Sequence, residues 1–241
     1  MRWIIIHKTS AHWEAGAIPT KELVARVGEM IGGLQKKGAL LGGEGLRPSS
    51  EGARLALARG MPTVTPGPFS NELPASFVIL RMGSLDEAIT WSRRYAVLAG
   101  DVQADIRPLT EAWDIGMAPK PPRLESRRWM VLFNATPATE AETPTAPDTR
   151  VAIERLLADT KAEGKLLTAE TLRPTRGGAR VHRAGGKIRT IDGPFAESKE
   201  LVGGYVLVEL PSREEALALA EHYADVVEAE EVELRLVADP T

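Results

Sequence analysis

The segment Gly38–Pro48 (GALLGGEGLRP) occurs twice in this chain of 241 residues, with its second copy at Gly164–Pro174 (GKLLTAETLRP). Over Lys36–Pro48, seven of thirteen positions are identical at an offset of 126 residues. Two unrelated segments of ordinary composition would share about one such position. Self-similarity at a long offset indicates that the chain contains two copies of one unit.

The repeat continues on both sides of this segment. After a gap of two residues the offset becomes 128, and Ser84–Tyr95 then matches Ser212–Tyr223. Shorter matches pair Arg2-Trp3 with Arg128-Trp129, Gly52–Arg54 with Gly178–Arg180, and Gly67–Phe69 with Gly193–Phe195. The sequence therefore predicts a tandem duplication.

The two copies are joined by a stretch that contains Pro119, Pro121 and Pro122 and has no periodic apolar pattern. Such a composition is typical of a semi-rigid connector. We therefore expect domains at 1–115 and 127–241, with a Pro-rich linker at 116–126.

Each copy shows the element order β-α-β-hairpin-β-α-β. It opens with a short apolar strand, such as Trp3–His7, and continues with a helix whose apolar residues recur at helical spacing. A hairpin turn is expected at Ala184–Gly186, and a capping box of Ser84 and Glu87 begins the second helix. This order predicts an α+β fold of two tandem ferredoxin-like (split βαβ) units, each with both helices on one face of its sheet.

The strands Phe77–Leu80 and Tyr205–Val208 are apolar without interruption. Strands of this kind are covered on both faces of their sheet, but the helices cover only one face. The other copy can supply the second cover. We therefore expect the two sheets to pack face to face within one chain, as an internal pseudo-dimer.

The composition excludes several classes of function. Thirty Lys and Arg against thirty-three Asp and Glu leave a net charge of −3, which is unlike the basic footprint of a nucleic-acid-binding protein. The absence of cysteine excludes disulfides and thiolate ligands or nucleophiles, and the four histidines have no metal-ligand spacing. No apolar run approaches the length of a membrane span. We expect a cytoplasmic protein without a metal, a membrane or a nucleic-acid partner.

At Asp192–Glu200 (DGPFAESKE), followed by Gly203–Tyr205, the sequence resembles the YCII-related proteins, specifically their DGPF-type subgroup. The first copy resembles the same subgroup at Lys8–Gly16, Gly42–Pro48 and Gly52–Arg54. Together the two copies cover nearly the whole chain, and the resemblance implies an intramolecular dimeric α/β barrel. Relatives such as muconolactone isomerase and chloromuconolactone dehalogenase need no cofactor, so none is expected. Some DGPF-type proteins are encoded beside, or fused to, alternative sigma factors.

The loop that carries this run is the strongest candidate for chemistry. An Asp before a turn usually accepts a hydrogen bond from the backbone N–H two residues on, but Pro194 has no N–H at that position. Asp192 is therefore available to another partner, and Glu197, Lys199 and Glu200 crowd the same turn. Ionisable groups that are crowded together shift each other's pKa values apart, so that one can act as an acid and another as a base. In the alternative interpretation, Asp192 caps the turn and the other side chains are solvated.

The first copy offers an internal comparison for this loop. It keeps the Gly-Pro-Phe triplet but has Pro66 in place of Asp192 and Asn71 in place of Glu197. The triplet therefore points to turn geometry, whereas ionisable groups are present in one copy only. This difference favours function in the second copy, or its loss from the first.

The opening strand shows the opposite asymmetry, since His7 and Lys8 correspond to Phe133 and Asn134. Strand alternation places His7 on the face of Trp3. His7 is either a general base with a pKa near neutrality or a hydrogen-bonded core residue. Lys8 either binds an anion or lies in water at the strand end.

Four further charged residues are candidates for ligand binding because both copies keep them: Glu44, Arg54, Glu170 and Arg180. The guanidinium fork of arginine suits a carboxylate-bearing ligand. Alternatively, Glu44 with Arg54 and Glu170 with Arg180 form structural ion pairs.

Two functions from different classes fit these residues. The first is a cofactor-independent enzyme of the isomerase, lyase or lactone type, which acts on a small anionic organic substrate in a cleft between sheet and helices, under the DGPF-type loop. Its catalytic residues would be Asp192, Glu197, Lys199 and His7. The second is a non-catalytic ligand-binding or regulatory protein linked to sigma-factor-dependent transcription. Pairing of two chains into a further homodimer stays open.

Overall fold

The computed structural model describes residues 1–70, 72–185, 187–195 and 201–239. The strands are β1 (Arg2–Lys8), β2 (Leu40–Gly45), β3 (Ala53–Ala58), β4 (Met61–Pro66), β5 (Pro74–Met82), β6 (Val102–Pro108), β7 (Arg127–Asn134), β8 (Leu166–Thr171), β9 (Ala179–Ala184), β10 (Lys187–Asp192), β11 (Val202–Glu209) and β12 (Glu231–Leu236). The helices are α1 (Ala11–Glu14), α2 (Lys21–Lys36), α3 (Leu85–Ala99), α4 (Pro137–Glu140), α5 (Pro147–Ala162) and α6 (Arg213–Val226).

The order of elements from β1 to β6 is repeated from β7 to β12, with the same helices and short 3-10 turns between them. The strands form two antiparallel sheets of six strands each. The expected α+β class is confirmed, and the arrangement is compatible with ferredoxin-like units. None of the described helices combines the length and the apolar character that crossing a membrane requires.

Each sheet takes strands from both halves of the sequence. One has the order β10-β9-β12-β1-β11-β2, and the other has the order β4-β3-β6-β7-β5-β8. The chain accordingly divides into unit A, residues 1–45 and 172–241, and unit B, residues 46–171. The compact units thus have boundaries other than 1–115 and 127–241, because β1 is hydrogen-bonded between β12 and β11 rather than beside strands of its own half. The expected linker, 116–126, lies within unit B.

In unit A, helices α2 and α6 cover one face of the sheet. Trp3 and Ile5 of β1 pack there against Ala220 and Tyr223 of α6. The helix begins at Arg213 because the Ser212 side chain accepts a hydrogen bond from the backbone N–H of Glu215. Ile4 and Ile6, which alternate with these residues, are buried as well. Both faces of the central strand are therefore shielded from water.

In unit B, helices α3 and α5 cover the equivalent face. The indole Nε1 of Trp91 donates a hydrogen bond of 2.8 Å to Oγ1 of Thr160, which joins the two helices in the core. Tyr95 stacks on Phe133 of β7 with ring centroids 4.1 Å apart. Half of the predicted capping box of α3 is present: the Ser84 hydroxyl accepts from the N–H of Glu87, whereas the Glu87 carboxylate accepts from the N–H of Gly83. Burial of the aromatic face and the cap together fix this helix on the sheet.

Cutting the chain within 116–126 tests the exchange of strands between the halves. We expect a variant with a specific protease site inserted after Pro122, once cleaved, to elute in native gel filtration as one species that contains both fragments. The fragments stay together because each sheet combines four strands of one fragment with two strands of the other, β1 and β2 or β7 and β8. They should separate only in denaturant, and independent elution without denaturant would contradict the topology.

Candidate functional site

A row of side chains crosses the face of the unit A sheet that α2 and α6 leave uncovered. Strand pairing sets Arg180 beside Glu233, Glu233 beside Ile6, Ile6 beside Tyr205, and Tyr205 beside Glu44. We call these five residues the charged row. They share one face because paired residues point the same way. Arg180 and Glu44 lie four strands apart, which corresponds to about 19 Å.

Glu233 is the centre of the buried charges and has no solvent exposure. Its Oε1 lies 3.0 Å from Nη1 of Arg235, and its Oε2 lies 3.1 Å from Nε of Arg180 and 3.8 Å from Nζ of Lys8. Burial alone would raise the pKa of this carboxyl, but the charges of Lys8, Arg235 and Arg180 outweigh burial and lower it. Glu233 is therefore held as a carboxylate.

Lys8 is a buried ammonium beside this carboxylate, with only 5% of the residue exposed. Its Nζ has no hydrogen-bond partner among the described residues, and Glu233 at 3.8 Å is an ion-pair neighbour beyond hydrogen-bond distance. An ammonium carries three N–H donors, and burying such donors without acceptors costs free energy. The N–H donors of Lys8 therefore have no acceptor among the described residues.

His7 lies on the other face of β1, beside α6. Its Nδ1 is 2.8 Å from Oη of Tyr223, and the ring packs over Gly203 and Gly204. A Cβ on Gly203 would lie 2.7 Å from Cδ2 of His7, so the GGY glycines make room for the imidazole. Complete burial raises the pKa of the Tyr223 hydroxyl, which keeps that hydroxyl neutral. The predicted face of His7 is confirmed, and its role as a base stays a prediction.

The DGPF-type loop follows β10, and its first residues, 193–195, pack against Arg180 at the end of the charged row. The N–H of Phe195 donates to Oγ1 of Thr175 at 3.1 Å, and the Phe195 ring lies 4.2 Å from Cζ of Arg180. Gly193 lies against the backbone, because a Cβ there would be 1.9 Å from the carbonyl oxygen of Thr175. The Gly and Phe of the triplet therefore set the loop geometry that holds an aromatic ring over Arg180.

Asp192 is not part of this buried cluster. Its side chain is 72% exposed and accepts a hydrogen bond from Nη2 of Arg213 at the start of α6. It pairs with Ala179, whose neighbour Leu234 belongs to the helix-side core. Asp192 thus lies on the helix side of the sheet. Glu197 and Lys199 lie outside the described residues.

Unit B contains a corresponding row with different chemistry. Arg54 holds Asp105 through both oxygens, with Nε–Oδ1 of 2.5 Å and Nη2–Oδ2 of 2.7 Å. Asn134, which corresponds to Lys8, donates from Nδ2 to Oδ2 of Asp105 at 3.1 Å. Burial opposes the charge of Arg54, but the hydrogen bond and charge of Asp105 together with the charge of Glu72 outweigh burial and raise its pKa. Where unit A has a buried ammonium, unit B has a neutral amide.

The structure divides the sequence-predicted residues between two faces and two units. Lys8 and Arg180 meet at Glu233, and Glu44 lies at the far end of the same row. Arg54 and Glu170 lie in the corresponding row of unit B, on β3 and β8. Such a division differs from the single cleft between sheet and helices that we expected, because strand alternation sends Lys8 and His7 to opposite sides of β1.

The sequence analysis did not single out the carboxylates at the centres of the two rows, Glu233 and Asp105. A signal for them exists in the closing strands. Glu233 and Arg235 alternate with the apolar residues Val232, Leu234 and Leu236 in β12, and Asp105 and Arg107 repeat this spacing in β6. Charged residues at period two in a buried strand share a face. This pattern predicts a buried ionic row.

The described residues include no group of three or more His, Asp or Glu side chains that could hold a metal ion. The site brings together the buried nitrogen donors of Lys8, Arg180 and Arg235 around the Glu233 carboxylate. Donors of this kind can bind an oxygen acceptor such as a carboxylate or a phosphate.

Residues 128–238 match the YCII-related domain, so the chain carries a domain of this class over that segment, as the resemblance predicted. An uncharacterized protein of Rhizobium meliloti (strain 1021) is 40% identical over 57 residues, which make up 24% of this chain and 46% of that relative. The chain therefore spans less than half the length of this curated relative. No solved structure matches the chain.

The substitution Glu233→Gln tests the buried charges. We expect it to lower the free energy of unfolding by roughly 3 kcal/mol at pH 7, because three cations lose their buried carboxylate. Since the folded pKa of Glu233 is depressed, this stabilisation is present above its ordinary value of 4.5 and is lost as the pH falls below that value. The difference in free energy of unfolding between Glu233→Gln and the wild type, measured by urea unfolding, should be smaller at acid pH than at pH 7.

The exposed Glu230→Gln variant is the control for this measurement, and it should match the wild type at both pH values. A gap between Glu233→Gln and wild type that does not change with pH would contradict the assignment of the buried charge.

The substitution Gly193→Ala tests the loop geometry. Because the added Cβ meets the carbonyl of Thr175, we expect a loss of at least about 2 kcal/mol in the free energy of unfolding. Gly177→Ala is the matched control, since a Cβ there meets nothing within 4 Å. Equal stabilities of the two variants in urea unfolding would show that the close approach at Gly193 is wrong.

Proposed function

We propose that this YCII-related protein binds a small organic anion at Lys8 and carries out cofactor-independent acid–base chemistry on it, of the isomerase, lyase or lactone type. The observation that carries the proposal is the buried Nζ of Lys8, which has no hydrogen-bond partner among the described residues. The Arg180 and Arg235 guanidiniums pair with Glu233, which is also the ion-pair neighbour of Lys8. In this proposal the Lys8 N–H groups are donated to the ligand.

The first chemical step is stabilisation of negative charge on a substrate oxygen. A fixed ammonium in a site that excludes water lowers the free energy of an enolate or carboxylate more than an exposed lysine would. Glu233 offsets part of the positive charge of Lys8, Arg180 and Arg235 when no ligand is present. Its lowered pKa makes it a weak proton acceptor, so it positions Lys8 and is not the base.

The base for a substrate at Lys8 is proposed in the loop after β10, at Glu197 with Lys199 as its partner. His7, held by Tyr223, and Asp192, paired with Arg213, lie on the helix side of the sheet, so in this proposal they do not act on a substrate bound at Lys8. Arg54, Glu170 and Glu44 are proposed as ligand-binding residues in the two rows. A small organic ligand is the proposed partner, and no nucleic acid or membrane is.

A second function is favoured by one observation. The depressed pKa of Glu233 describes a site that holds charge rather than one that moves protons. A non-catalytic ligand-binding or regulatory protein, connected with sigma-factor-dependent transcription, would need only this property. Turnover of a bound ligand distinguishes the enzyme from this alternative.

We also propose that the two halves are a tandem duplication of the DGPF-type subgroup, that the chain forms an intramolecular dimeric α/β barrel, and that it acts in the cytoplasm. The repeated element order supports the duplication. The equivalent orders of the two sheets support it too, because each strand of one sheet has its counterpart at the same place in the other.

Replacing Lys8 tests the proposed site. We expect Lys8→Asn to weaken binding of small carboxylates at least about tenfold, since a charge-assisted hydrogen bond is lost. Asn suits this position because Asn134 occupies the corresponding place in unit B and donates to Asp105. The variant should therefore fold, which thermal unfolding checks. The measurement is calorimetric titration with a panel of small carboxylates.

Lys37→Asn, the same exchange at an exposed position of unit A, is the control and should bind as the wild type does. Unchanged binding in a folded Lys8→Asn variant would contradict the proposal, as would failure of the wild type to bind any member of the panel. Turnover of a bound carboxylate by the wild type supports the enzyme, and binding without turnover supports the alternative.

A further inference from the structure

Unit B contains a second group of cations. It lies at the start of β7, away from the row that contains Arg54 and Asp105. Arg81, Arg127 and Arg128 line a hollow of about 200 Å³ together with Glu111, Trp113 and Ser126. We call it the arginine hollow. It is smaller than the usual ligand pocket of roughly 300 to 1,000 Å³. Its size therefore suits a small ion rather than a large metabolite.

Strand pairing forces two of these arginines together. Arg81 of β5 is directly opposite Arg128 of β7, and like charges at paired positions of a sheet are destabilising. Arg128 is neutralised by Glu111, with Nε–Oε1 of 2.9 Å and Nη2–Oε2 of 3.0 Å. Arg81 has no ion pair or side-chain hydrogen bond among the described residues. The guanidinium of Arg81 is thus left without a counter-charge among the described residues.

The segment after β6 brings the remaining donors to the hollow. Asp114 accepts from Nη2 of Arg127 and from the N–H of Glu111, which folds residues 111–114 over the start of β7. Two nitrogens of this fold, Nε of Arg127 and Nε1 of Trp113, are buried and have no hydrogen-bond partner in the described part of the chain. Buried N–H groups without acceptors cost free energy. An anion in the hollow would supply the missing acceptor oxygens.

We propose that the arginine hollow binds a small oxyanion, a phosphate or carboxylate group, between Arg81 and the N–H groups of Arg127 and Trp113. Arg81 supplies the uncompensated charge, and its guanidinium fork matches two oxygens of one such group. The site is independent of the proposed function, because it uses none of the residues around Lys8.

The test is a titration of isotope-labelled protein with inorganic phosphate and, separately, with acetate, at constant ionic strength. We expect the indole N–H resonance of Trp113 to shift saturably with at least one of the two anions. Trp91 is the internal control, since its Nε1 already donates to Thr160 in the core. The Trp113→Phe variant, which keeps an aromatic ring, assigns the resonance.

Arg81→Gln should raise the dissociation constant at least about tenfold. Arg94→Gln, which removes an exposed arginine of α3 outside the hollow, should leave it unchanged. A response to phosphate alone, to acetate alone, or to both supports the site and defines its oxyanion. Absence of a saturable shift, an equal shift of all indole resonances, or an unchanged constant in Arg81→Gln would overturn it.

Discussion

The hydrogen bonding of β1 between β12 and β11 is the constraint on which unit A depends. This strand comes from the start of the chain, whereas both of its neighbours come from the last third. Its alternating residues fill the helix-side core on one face and continue the charged row on the other. Neither the core of unit A nor its buried ionic cluster could form from one half of the sequence alone.

The same pairing explains why the charge cluster differs between the units. It brings Lys8 of the first half to Glu233 of the second half, while the reciprocal pairing brings Asn134 to Asp105. Each row has an arginine on its carboxylate and an aromatic ring over that arginine. The rows differ in the carboxylate itself, Glu233 or Asp105, and in the ammonium or amide beside it. They also differ in the second arginine, since Arg235 pairs with Glu233 whereas Arg107 pairs with Glu72. The matched YCII-related segment, 128–238, does not include Lys8.

Much of the fold could be predicted from the sequence, because the repeat, the capping serines and the apolar strands are local signals. The α+β class, the helix-side position of His7 and the burial of both faces of β1 follow from periodicity alone. The choice of partner for β1 could not be predicted. The two halves offer equivalent neighbours, β5 with β6 or β11 with β12, and only the assembled chain distinguishes them.

The candidate site was harder to predict than the fold for a related reason. Lys8 and Arg180 were identified by their residue types, but their common partner Glu233 lies on a strand that reads as core. Asp192 was singled out from the absence of an N–H at Pro194, and in the folded chain its carboxylate pairs with Arg213 at the surface. Contacts between strands distant in sequence determine which charges are buried, and local patterns do not contain them.

The pairing of β1 is open to direct measurement because the chain has no cysteine of its own. Arg2 is paired with Glu209 of β11, while Arg81 lies at the corresponding position in the first half. With cysteines at 2 and 209, mild oxidation should give an intramolecular disulfide, since paired positions have suitable Cα separations. With cysteines at 2 and 81, the same treatment should leave both thiols free. The reverse result, a disulfide between 2 and 81 and none between 2 and 209, would contradict the pairing of β1 with strands of the second half, on which the site depends.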